Sequence, residues 1–476
     1  MKKTAMLKTI AAALIIVLSL QVFVFAEEQP QLLISPPAEQ PAAWAVEAVQ
    51  WSSIYGLASD EMFAKYSSKV TQEELHKVCV NLYEKLTGKT ATPEEEKIFT
   101  DNSKLTTQKE ATRLEMVTSV YNVLKAAQPE FDFSADVNLT FKDIGSLSEE
   151  TLNIVKYSVA KGILHGRNKE ILDLESQCTR QELLVFVKNA YEFAIYESGR
   201  YSKGAFWKVS DENNTVYLLG SIHIADATLY PLSKEILNAY EKSDVLVVEA
   251  DISKQEEAAN YMAQRAMYAD ENTLEKNVPE ELYKKFVEFV TPYGIQEEVY
   301  SKLKPWYAAL LVQNLQLMDN SYSGSLGVDM YFLSKAMGQK DILEIEGIKF
   351  QVDMFDSFSN ELQCQFLASA LGTGEGNENT EASVELVAYM LKCWKEGNTE
   401  ELARIVKADV EAEGEFKEFN EKMWSSRDNN MVQKVREYLA DPENKTYFVV
   451  VGAGHMVGST GIVTQLEDEY KVEQIK

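Results

Sequence analysis

Basic side chains are in short supply in this chain. Lysine and arginine together number 47 against 74 aspartates and glutamates, a net charge of −27 at pH 7. Recognition of nucleic acid or of an anionic membrane runs on clustered cations, so neither is expected as a general partner. Cysteine is sparser still, with four residues (Cys79, Cys178, Cys364 and Cys393) and no CxxC pair. That excludes a disulfide scaffold and a cysteine metal site, and leaves a Cys364–Cys393 bridge as an open question. There are four histidines and no HExxH, so the common zinc-protease helix is excluded as the mechanism. The glycines of Gly372–Asn379 follow no strand, which argues against a phosphate-binding loop. Beyond the N-terminus, no apolar run approaches the length of a membrane span.

What is present begins with Lys2, Lys3 and Lys8, then an apolar run from Ile10 to Phe25, then Ala26 just before Glu27 and Glu28. This is the order of a secretory signal, so residues 1–26 are expected to be cleaved and the mature chain exported. Residues 27–41 form a proline-rich spacer. Residues 42–196 read as helical repeats, in units of about 42–88, 95–127 (partial) and 137–196. Thr71 with Glu74, and Thr179 with Glu182, have the spacing of capping boxes, and Ala111–Met116 opens a comparable helix. Gly162 and Gly166 mark a helix stop and a turn. Trp44 lies on a helical stripe and is expected in the core, whereas His76 and His165 are expected at the surface.

The repeats resemble S-layer homology (SLH) domains. The last unit carries the F-x-D opening (Phe141, Asp143), the G-I-L-x-G turn (Gly162–Gly166) and the T-R-x-E helix start (Thr179, Arg180, Glu182). The first unit has TQEE in place of T-R-x-E. The resemblance implies a pseudo-trimer that holds an anionic secondary cell-wall polysaccharide on a Gram-positive-type surface. It assigns Arg180, Arg113 and Asp143 to glycan binding, the arginines through charge-assisted bonds to a carboxylate.

From Ala205 the pattern turns to α/β. Apolar β-branched runs at Phe206–Val209, Val216–Leu219, Val245–Val248, Ile342–Ile345 and Tyr447–Val451 predict strands, separated by helical stretches such as Trp306–Met318. The fold class is therefore multidomain: all-α SLH-like repeats followed by an α/β domain, a mixed sheet with covering helices. Two strands end in the same way, as Gly220-Ser221-Ile222-His223 and Gly452-Ala453-Gly454-His455. Ligands of open α/β sheets bind outside the strand carboxyl ends, which is where two of the four histidines fall.

Residues 205–476 resemble the TraB/GumN family, which includes the TIKI metalloproteases, and are more distantly similar to erythromycin-esterase-like (EreA/ChaN-like) folds. The matching stretches, in family order, are G-S-I-H (Gly220–His223), V-V-E-A-D (Val247–Asp251), G-V-D-M-Y-F (Gly327–Phe332), L-E-I-E (Leu343–Glu346), Arg427 and G-A-G-H (Gly452–His455). One departure is Arg427-Asp428-Asn429, where the family has Arg-Asn.

His223, His455 and Glu249 together form a ligand set for a divalent ion (Mn, Co or Zn) with room for a water. Glu344 or Glu346 is the candidate general base or a further ligand. Arg427 is placed to hold a substrate carboxylate or a developing oxyanion. A structural pairing of Glu249 with Arg427 is the competing assignment, and Asp329 reads as a simple helix start. Three functions follow: a surface-anchored metal-dependent hydrolase of peptides or proteins, a metal-free histidine-based hydrolase, or a non-enzymatic surface module that binds a peptide or signal.

Overall fold

The computed structural model describes residues 39–100, 109–320, 322–373, 381–407 and 415–476. The signal segment and most of the spacer lie outside these residues. The described chain divides into two compact units between Tyr201 and Ser202.

The first unit is helical. Its elements are α1 (Val46–Ile54), α2 (Gln72–Thr87), α3 (Pro93–Phe99), α4 (Arg113–Ala127), α5 (Glu149–Ala160) and α6 (Arg180–Glu197). Thr71, Thr112 and Thr179 close capping boxes with Glu74, Glu115 and Glu182, satisfying amide donors that the first helical turn leaves over. The residue before each threonine joins a ring. The Val70 N–H donates to the Cys178 carbonyl (2.9 Å), Cys178 to Ala111 (2.9 Å), and Ala111 to Val70 (2.8 Å). All three residues are fully buried. A second ring surrounds the first, in which the residue after each threonine reaches the next box glutamate. Gln72 donates to Glu115 (2.8 Å), Arg113 to Glu182 (3.0 Å), and Arg180 to Glu74. The internal repeat is thus a closed threefold arrangement, with Gln72 standing where the other two units carry arginine.

In the second unit, six strands form one sheet in the order β4-β3-β5-β2-β1-β6. They are β1 (Ala205–Ser210), β2 (Thr215–Ser221), β3 (Val245–Val248), β4 (Asp341–Glu344), β5 (Tyr447–Gly452) and β6 (Lys471–Gln474). The fully apolar β3 and β5 are buried along their whole length, as parallel strands covered on both faces must be. β1 and β2 form an antiparallel hairpin whose turn is fixed by the Asp211 carboxylate, accepting from Asn213 and Asn214 N–H at 2.7 Å. β6 was not legible as a strand: its sequence KVEQ alternates exposed and half-buried on the sheet edge beside β1. Helices α7 (Lys234–Lys242), α8 (Pro305–Asp319), α9 (Val328–Ala336), α10 (Ile348–Asp356), α11 (Asn360–Ala370), α12 (Thr399–Val406) and α13 (Ser426–Leu439) connect the strands, together with further helices at Gln255–Ala266, Glu280–Val290 and Glu381–Glu396 and shorter turns. α7 begins at Lys234, where the Ser233 hydroxyl caps the Ile236 N–H. Cys364 and Cys393 are free thiols, so the bridge considered from sequence is not formed. Among the described residues no helix is long and apolar enough to cross a membrane.

Candidate functional site

β2 and β5 are parallel neighbours, with Ser221 paired to Gly452, so the two Gly-x-x-His segments leave the sheet side by side. The approach is close: a Cβ on Gly220 would lie 2.9 Å from the Ala453 Cα. His223 is buried and its Nδ1 lies 2.6 Å from Asp329 Oδ2. Asp329 gets there because the start of α9 packs onto the His223 loop. Val328 N–H donates to the Ile222 carbonyl at 3.0 Å, and a Cβ on Gly327 would lie 2.3 Å from the His223 carbonyl oxygen. His455, fully buried on the short helix Ala453–Met456, is held in the same way: its Nδ1 lies 2.6 Å from Asp428 Oδ1 in the first turn of α13. The Trp424 ring covers it, with centroids 5.2 Å apart. In both rings Nε2 is buried and has no hydrogen-bond partner.

Glu249, directly after β3, lies beside His455. Its Oε1 accepts from the Gly452 N–H and lies 3.9 Å from His455 Nε2. Its Oε2 accepts from Gln351 (2.9 Å) and Arg427 (2.8 Å). Arg427, 1% exposed, also grips Glu346 with both Nε and Nη2 at 2.8 Å, the two-pronged geometry a guanidinium offers a carboxylate. Burial opposes the charge on Glu249, but Arg427 and both imidazoles outweigh it and hold the carboxyl down at about 2. Burial likewise opposes protonation of His223, yet Asp329 and Glu249 raise it above its ordinary 6.5.

Five residues singled out from the sequence are therefore brought together: His223, His455, Glu249, Arg427 and Glu346. Glu344 is not among them. Its carboxylate accepts from the Asp251 N–H (2.8 Å) and pairs with the half-exposed Lys254 (2.6 Å). Glu346 occupies the inner position instead, because the chain curls after β4 and the Glu346 and Gly347 N–H groups both converge on the Glu249 carbonyl. The Glu249–Arg427 pairing considered as a competing assignment is present, and Arg427 spends its donors on these carboxylates inside the protein. Sequence reasoning missed Asp329 and Asp428 as histidine partners and missed Gln351 altogether. Their one signal is an aspartate in the first turn of a helix.

In the helical unit the residues assigned to glycan binding are engaged internally. Arg113 is buried against Glu182 and the Leu172 and His165 carbonyls. Arg180 serves Glu74 and the carbonyls of Glu61 and Ala64. Asp143 accepts from the Leu172 and Asp173 N–H groups. Trp44, expected in the core, is 60% exposed. It lines a cavity of about 440 Å³ together with Arg113, His165, Arg167, Glu182 and Asn189.

Among the described residues no group of three or more His, Cys, Asp or Glu forms a ready metal cluster. Two features of the donors bear on a divalent ion. Both Nε2 atoms are unpartnered, and each imidazole donates its other nitrogen to an aspartate, the usual outer-shell support of a metal-binding histidine. Two atoms each within about 2.2 Å of one ion lie no more than about 4.4 Å apart, and the 3.9 Å between His455 Nε2 and Glu249 Oε1 meets that limit.

The fold and site thus define an α/β domain with two aspartate-supported histidines and a buried Glu–Arg pair at the carboxyl ends of parallel strands. Residues 205–474 match the TraB/PrgY/gumN family, and the chain belongs to that family. It is similar to the uncharacterized protein YbaP of Escherichia coli K12, 29% identical over 175 residues, which is 36% of this chain and 63% of YbaP. The YbaP of Shigella flexneri matches with the same identity and coverage. The chain therefore spans less than two thirds of the length of these relatives. No solved structure matches.

Proposed function

We propose that the second unit is a metal-dependent hydrolase acting on peptides or proteins. The observation that carries this reading is the pair of buried, unpartnered Nε2 atoms on His223 and His455, each fixed by an aspartate on its other nitrogen. Glu249 joins them as the third ligand, and a divalent ion bound there supplies an acidified water and a Lewis acid for a carbonyl oxygen. Arg427 and Gln351 hold the Glu249 carboxylate, and Glu346 balances the guanidinium. The test combines elemental analysis of the purified chain with hydrolysis of a peptide library. Wild type should carry about one divalent ion per chain, while His223→Gln and His455→Gln should lose both ion and hydrolysis yet remain folded. Hydrolysis by metal-free protein would move the assignment to general-base chemistry by a histidine. Peptide binding without turnover, surviving His455→Gln, would make this unit a binding module.

We further propose that the chain is exported and that its helical unit anchors it to a secondary cell-wall polysaccharide in the manner of SLH domains. The threefold ring and the cavity beside Trp44 support this. Arg167, 40% exposed at its side chain, is the cation at that cavity most open to an anionic glycan. Full-length chain should sediment with Gram-positive wall fragments, and Trp44→Ala with Arg167→Gln should weaken that binding at least tenfold. Equal retention of the double variant would sink the anchoring role of this cavity.

A further inference from the structure

We propose that Lys407 is a positioning residue for His455, acting through Asp428. Lys407 follows α12, and its side chain is 2% exposed. Its ammonium lies 2.7 Å from Asp428 Oδ2 and 3.0 Å from Thr460 Oγ1. The Thr460 hydroxyl donates to the same Oδ2 at 2.8 Å. Lys407 Nζ also lies 5.4 Å over the ring of Trp424, the residue that covers His455. Space for the lysine stem is provided by Gly458, where a Cβ would come within 2.8 Å of Lys407 Cδ.

A buried ammonium is expensive unless paired and hydrogen-bonded, so this one is built in rather than incidental. Its effect is to commit one oxygen of Asp428 to two donors and leave Oδ1 for His455 alone. An acceptor-only oxygen at Nδ1 requires the proton there and leaves Nε2 as a lone pair aimed at the site. The other dyad differs: among the described residues Asp329 has neither a lysine nor a hydroxyl on its carboxylate. Both histidines meet an aspartate at Nδ1, but only the aspartate behind His455 carries a cation and a hydroxyl on its outer oxygen.

The proposal deepens the hydrolase reading and rests on it only for its metal arm. The experiment uses full-length chain with ¹⁵N-labelled histidine, whose four side chains give few enough signals to assign with His455→Gln. Metal-free wild type should show His455 as the Nδ1–H tautomer. Lys407→Met should shift it toward a mixture with Nε2–H, and Lys407→Arg should restore it. Titration with Co²⁺ alone, followed by its visible band at a temperature where both proteins are folded, should show Lys407→Met binding about 10–100-fold more weakly. Should Lys407→Met fail to fold, Thr460→Val perturbs the same oxygen and should produce a smaller shift of the same kind. A folded Lys407→Met with the wild-type His455 tautomer would overturn the proposal, as would an unfolded one accompanied by an unaltered Thr460→Val. If wild type does not bind Co²⁺, the metal assignment fails while the tautomer comparison still decides the role of Lys407.

Discussion

Glu344 and Glu346 differ by two positions and, in the structure, by nearly everything else. Glu346 is 1% exposed at its side chain and faces a fully buried guanidinium, whereas Glu344 meets a lysine that is 52% exposed. Removing one partner of a buried pair strands the other, so Glu346→Leu should destabilise the chain by about 3–5 kcal/mol in urea denaturation. Glu344→Gln should cost under about 1 kcal/mol, since exposed pairs contribute little. His223 makes a second prediction, for chain stripped with chelator. Its raised pKa means that the protonated His223–Asp329 pair stabilises the fold fully below the ordinary 6.5 and ceases to as pH rises through the raised value. Glu249 acts oppositely: its contribution is present above the ordinary 4.5 and is lost as pH falls toward about 2. Thermal melts from pH 2 to 9 should therefore decline on both sides, and His223→Gln should flatten the alkaline side alone. At this scale the histidines and Glu249 were legible because each follows the end of an apolar strand, and Arg427 only through the family resemblance. The partners were not. Asp329 reads as an ordinary helix start until α9 is folded against the His223 loop, and a contact across 106 residues leaves no local trace.

Strands buried on both faces are written as unbroken β-branched runs, which is why β3 and β5 could be placed from the sequence within a residue. β6 could not, since an edge strand of four alternating residues looks like any polar tail until β1 pairs with it. The site's glycines belong to the elements rather than to single residues, because they set how closely strand, helix and ring approach. A Cβ on Gly454 would lie 2.7 Å from two carbons of the Trp424 ring and 3.0 Å from Val406 Cγ1. All three elements are packed, so Gly454→Ala should cost about 1–3 kcal/mol in chemical denaturation and displace the Trp424 ring from His455. A fluorescence spectrum unchanged from wild type, at unchanged stability, would count against that packing. The helical repeats were legible through their capping boxes, which are local and hence written in four consecutive residues. The internal pairing of their arginines was not legible, because the glutamates they grip come from the neighbouring repeat.

The whole molecule carries its 74 acidic and 47 basic side chains with an excess that no pairing can cancel. Self-repulsion of that size destabilises the compact state and is screened by salt. The melting temperature at pH 7 should rise between 0.02 and 0.5 M NaCl, and a fall would mean that ion pairs outweigh the net charge. The ring through Val70, Ala111 and Cys178 has a topological consequence. Each repeat touches both others through its backbone, so none is terminal and none serves as an end cap. Deleting any third would leave two open seams rather than a shorter version of the same body, and length variation among such units should come in whole triplets. The same closure brings the first and last thirds of the unit into direct contact, so rejoining its ends and cutting the chain between two repeats should leave the ring intact.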